Sequence, residues 1–175
     1  MRRTNVRIET ALFRWSISIA ALLTISFGTQ CVRANKDHKE CSAFTGPFSS
    51  ILGAPCSSPI GLCTHGKLSG ELEADYDFTF LTLVPANDPT DPTKSVYTGM
   101  SVVTFHDGSG VLYTDDTGVI HTPADGSPAP FVTKAIVDHA TKRLHGTLGG
   151  FIAPGSIVFQ TGIATGSYSA ILCDK

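Results

Sequence analysis

Few residues in this chain are spaced for chemistry. Its six histidines, His38, His65, His106, His121, His139 and His145, form no i, i+2 or i, i+4 pair that would gather a metal on one strand or helix. Asp138-His139 sets a carboxylate beside an imidazole, as a general base needs, but neighbours on a strand face opposite ways. A turn between strands accounts for the pair without catalysis. Asp115 and Asp116 supply too few of the six or more oxygens a hard cation takes, and Asp116-Thr117-Gly118 reads more simply as a turn. With no H-E-x-x-H, G-x-S-x-G, P-loop or dinucleotide fingerprint, neither a metal nor a cofactor is expected. Two polar residues remain as candidate catalytic groups. Tyr76 stands in an apolar alternation, so its hydroxyl needs a partner from the protein or from a ligand. His106 precedes an Asp107-Gly108 turn and would stand at the rim of a strand end. Each has a plainer reading, a core tyrosine and a solvated histidine.

The elements that must position them are strands. Within residues 68–84, Leu68, Leu72, Ala74, Tyr76, Phe78 and Phe80 fall on even positions and Lys67, Ser69, Glu71, Glu73, Asp75 and Asp77 on odd ones. That period of two marks a half-buried β segment, either one bent strand or two short ones. Its apolar face, with Val96, Met100 and Val102 after it, is the expected ligand-binding surface: Leu72, Tyr76, Phe78, Phe80, Met100 and Val102. The tandem Asp88-Pro89-Thr90 and Asp91-Pro92-Thr93 form an exposed loop, because proline lacks the N–H of a sheet ladder. Beyond it β-prone runs cover 96–106, 111–114, 119–122, 131–137, 143–152, 157–161 and 168–173. Turns are expected at Asp107-Gly108, Asp116-Thr117-Gly118, Asp125-Gly126, Pro154-Gly155 and Thr165-Gly166. About eight short strands and no sustained helical period predict an all-β domain. A small antiparallel closed barrel is favoured over a sandwich because closure removes the edge strands.

The amino end has its own logic. Arg2, Arg3, Arg7 and Arg14 precede an apolar run over 15–27, the order of a secretory signal peptide, with Val32-Arg33-Ala34 as the cleavage site. The run is too short for a spanning helix, so no stable membrane anchor is expected. Removing residues 1–34 takes five of thirteen basic residues and one of fifteen acids, leaving eight bases against fourteen acids, a net charge of −6. An acidic domain without a basic stripe argues against nucleic acid as a partner. Four cysteines then remain, Cys41, Cys56, Cys63 and Cys173, an even number suited to two disulfides in an oxidising compartment, extracellular or periplasmic. Three connectivities are possible. If the strand after Cys63 pairs with the last strand, Cys63 meets Cys173 and Cys41 takes Cys56. Residues 35–62, punctuated by Gly46-Pro47, Gly53-Ala54-Pro55 and Ser58-Pro59, are expected as an irregular arm tied to a barrel over 63–175.

Several short motifs stand in order along the chain: Gly66-Lys67-Leu68-Ser69-Gly70, Tyr97-Thr98-Gly99 with Thr104 before Gly108-Ser109-Gly110, Asp115-Asp116-Thr117-Gly118-Val119, and Gly166-Ser167-Tyr168-Ser169-Ala170-Ile171-Leu172-Cys173. Together they resemble the allene oxide cyclase-like barrels, relatives in fold of dirigent proteins. The likeness spans residues 63–173. Where that group has a glycine-rich G-T-G turn, this chain has His139-Ala140-Thr141-Lys142-Arg143-Leu144. The resemblance implies a barrel and, among its activities, cofactor-free cyclisation. Three functions are therefore expected in order: a secreted barrel binding a small apolar molecule in its lumen, a cofactor-free cyclase or isomerase, and a structural module filled by its own side chains, for which the eight phenylalanines beyond residue 34 suffice. Oligomeric state is not readable from these residues.

Overall fold

The computed structural model describes residues 40–53 and 56–174; the expected signal peptide and its cleavage site lie outside the described residues. Eight antiparallel strands follow one another around a closed barrel: β1 Cys41–Leu52, β2 Cys63–Leu68, β3 Ala74–Pro85, β4 Lys94–Phe105, β5 Val111–His121, β6 Ala129–Ala140, β7 Leu148–Val158 and β8 Ile163–Cys173. Pairing of β1 with β8 closes the sheet, so the all-β closed barrel is as expected. Connections are written locally. Asp88, Asp91, Asp107 and Asp125 each accept a hydrogen bond from the backbone N–H two residues on, at 2.8 to 3.1 Å, with Gly108 and Gly126 at positive φ inside the last two of these turns.

Several sequence-based boundaries move. Residues 41–52, expected in an irregular arm, are strand β1, so the barrel begins at Cys41 and not at 63. Gly46-Pro47 is not a turn: Pro47 stands just before the β2 ladder begins at Phe48, and Gly46 lies beneath the Tyr168 ring. The disulfides are Cys41–Cys173 and Cys56–Cys63, not Cys41–Cys56 and Cys63–Cys173. It is β1 that pairs with the last strand, and the register sets Cys41 opposite Cys173. Residues 68–84 split between the end of β2 and β3, with the connection over 69–73.

Three expected turns are strand interiors: Asp116-Thr117-Gly118 lies in β5, Pro154-Gly155 in β7 and Thr165-Gly166 in β8. Their glycines are seats for aromatic rings. A Cβ on Gly118 would stand 2.2 Å from the Tyr97 ring, one on Gly166 2.5 Å from Phe48, one on Gly99 2.5 Å from Phe78 and one on Gly66 2.5 Å from Tyr76. Large inward rings fold over the neighbouring strand only where that strand has no side chain.

The inner face of β4 is Tyr97, Gly99, Ser101 and Val103, so Met100, 46% exposed, and Val96 point outward, as does half-buried Val102. The expectation for Met100 and Val102 is thereby overturned. Apolar residues stand on both faces of β4, and the inward set includes Gly99 and Ser101, whose small size admits Phe78 and Asp116 rather than filling space themselves. Asp138-His139, expected as a turn, ends β6 at an irregularity in its register with β5. Both side chains are exposed there, 2.7 Å apart, with the His139 ring stacked on Tyr113.

Candidate functional site

Packing divides the barrel interior in two. Around the Cys41–Cys173 end, Phe48, Leu72, Leu112, Val137, Phe151 and Tyr168 form one apolar cluster. Tyr168 seals it: its hydroxyl accepts a hydrogen bond from the Leu72 N–H at 2.9 Å and donates to the Ser69 carbonyl at 3.0 Å. Toward the other end Phe78, Tyr97, Ile120, Ile157 and Ala164 form a second cluster. Along the lumen between them runs a cavity of about 140 Å³, which reaches the end bearing Leu52, Leu62, Leu83 and Phe159. Its wall is mostly apolar and rich in aromatic rings. The Phe78 and Phe80 rings meet edge to face with centroids 4.4 Å apart, and Tyr97 lies 5.2 Å from Phe80.

A polar belt crosses this apolar lining. Asp116, 2% exposed, projects inward from the middle of β5. One carboxylate oxygen accepts the Ser101 hydroxyl and the other accepts the Thr114 hydroxyl, the latter at 2.6 Å. Burial raises its carboxyl from 3.8 to about 6, the two hydroxyl donors opposing the shift. Tyr97 is hydrogen-bonded to Thr133 Oγ1 at 2.5 Å. Tyr76 has the Ser50 hydroxyl beside it and its ring edge against Phe48. Burial pushes both phenols up to about 12, and for Tyr97 the charges of Asp116 and Tyr76 add to the effect. Both therefore stay protonated at ordinary pH, with their hydroxyls beside Thr133 and Ser50 in the cavity wall.

Of the residues expected at the site, Tyr76, Phe78 and Phe80 line the cavity together. Leu72 is buried, but in the cluster at the sealed end rather than at the cavity. His106 is exposed on the outside of the barrel, its Nε2 3.2 Å from Asp75 Oδ2 of the outer face of β3, so it is not a lumen group. Asp116, Tyr97, Ser101, Thr114 and Thr133 were missed. Their signal was parity: in residues 111–121 read as one strand, Thr114 and Asp116 alternate in step with Leu112 and Ile120. A wider hollow, about 490 Å³, lies at the sealed end, rimmed by Glu40, Glu71, Glu73 and Asp107. Its acids face solvent, whereas the lumen acid Asp116 is held among apolar walls.

The site is thus an aromatic-walled cavity with one buried acid and two phenols, an arrangement that can bind an apolar body and hold or pass one proton at Asp116. Comparisons with protein-family models, with curated proteins and with solved structures returned no match.

Proposed function

We propose that the protein is an exported barrel that binds a small, mainly apolar molecule in its lumen. The lumen cavity carries the reading. Protein interiors pack densely and leave few voids larger than a water, yet here about 140 Å³ stays open behind Phe78, Phe80 and Tyr97. An apolar cavity of roughly 150 Å³ holds a molecule the size of benzene. Two disulfides fit an oxidising compartment, and the basic-then-apolar order of residues 1–34 supports export there. A barrel filled by its own side chains has less support, since space remains between them.

The test is thermal unfolding of the disulfide-bonded chain with toluene or ethylbenzene. Saturating ligand is expected to raise Tm by mass action, and Ala135→Phe, which fills the cavity from β6, is expected to abolish the shift. No shift with any ring-sized compound would sink the lumen reading. A second reading, cofactor-free cyclisation or isomerisation, is favoured by the convergence of Asp116, Tyr97 and Tyr76 and by the resemblance to allene oxide cyclase-like barrels. A shaped cavity would hold a flexible substrate in its reactive conformer while Asp116 moves a proton. Tyr76→Phe and Asp116→Asn separate the two: a carrier keeps its apolar affinity with no turnover to lose, while a catalyst loses turnover at kept affinity.

A further inference from the structure

We propose that the lumen is selective for a small cationic amine, with the ammonium seated at Asp116 and a ring-sized apolar body against Phe78, Phe80 and Tyr97. The inference rests on the lumen-binding reading above and names the chemistry of its ligand.

Among the described residues, Asp116 is the only charged one lining the cavity, and no described lysine, arginine or histidine joins it there. A buried carboxylate is ordinarily matched by a cation, because hydroxyl donors alone recover only part of its lost hydration. Ser101 and Thr114 supply one hydrogen bond to each oxygen. A carboxylate has about four acceptor positions, so about two remain for an ammonium. The walls suit the same guest: the negative faces of aromatic rings attract cations, most strongly where water is excluded. An anionic ligand meets the opposite sign on every count. The field outside acts in the same direction, since residues 35–175 hold fourteen acids against eight bases. Size limits the body to about one ring.

The groups facing Asp116 are the Ser101 and Thr114 hydroxyls and, through space, the Tyr97 phenol, while its neighbour Asp115 is exposed. None of these phenols or hydroxyls ionises between about pH 4 and pH 8, so Asp116 is the group of the cavity wall whose charge changes across that range.

Isothermal titration of the disulfide-bonded chain with benzylamine, benzyl alcohol, toluene and benzoate is the test. Near pH 8 benzylamine is expected to bind at least about tenfold more tightly than benzyl alcohol or toluene, with benzoate weakest. That preference should vanish near pH 4, where benzylamine is still protonated but Asp116 is not ionised, and in Asp116→Asn; toluene affinity of the wild type should be the same at both pH values. The wild-type pH comparison decides the matter if the variant does not fold. Equal binding of toluene or benzyl alcohol, or benzylamine binding that survives both the pH change and Asp116→Asn, overturns the amine inference and leaves lumen binding standing. Binding by none of the four overturns both.

Discussion

Asp116 costs the fold stability when it ionises, and the direction can be worked out. Its carboxyl titrates near 6 in the folded chain and near 3.8 when unfolded, so between those values the folded state holds more protons. Stability therefore falls as pH rises through that window. Below about pH 4 both states are neutral and the effect is absent. Asp116→Asn is expected to match wild type near pH 4 and to exceed it near pH 7.5 by on the order of 2 kcal/mol, read from urea unfolding. A difference that does not change with pH would mean the carboxyl is not held in this way. Gly118 makes a second residue-scale case, because an added Cβ would also stand 2.6 Å from the Val132 carbonyl as well as on the Tyr97 ring. Gly118→Ala should destabilise by about 1–3 kcal/mol and alter the near-ultraviolet dichroism of tyrosine as Tyr97 is displaced.

At the scale of the strand, facing decides function. Met100 is outward and Val103 inward on the same β4. Met100→Lys is expected to change stability by no more than about 0.5 kcal/mol, while Val103→Ala should cost roughly 2 kcal/mol; chemical denaturation of both variants gives the comparison. The inner face of β3 was legible, because Tyr76, Phe78 and Phe80 alternate cleanly with Asp75 and Asp77. That of β4 was not. Its inward positions are taken by Gly99 and Ser101, chosen to fit partners on β3 and β5 that hydropathy along one strand does not register. The same cause split β5 at Asp116 and hid the lumen acid. A buried carboxylate and a ring-seating glycine look locally like a turn, and only the opposing strands show otherwise.

Across the whole molecule the two disulfides differ in reach. Cys41–Cys173 links residues 132 apart and fastens the first strand to the last, while Cys56–Cys63 spans only 7. Chain-entropy estimates give about 5 kcal/mol for the long loop and about 2 kcal/mol for the short one. Replacing Cys41 and Cys173 together by serine should therefore lower the unfolding free energy by more than the same change at Cys56 and Cys63. The reverse order in guanidinium unfolding would count against the entropic account. Closure also matters to the lumen, since the β1–β8 seam carries Phe48 and Ser50 on one side and Ala164 and Tyr168 on the other.

The aromatic inner face of β3 and the all-β class were determined by the sequence alone, because alternation and turn chemistry act over a few neighbouring residues. Tertiary structure decided the rest. Which cysteines meet, which face of β4 is inside, and that Asp116 is a lumen acid all depend on residues far apart in the chain but opposite one another in the ladder. Barrel closure sets that register, and with it the one buried charge of the cavity wall.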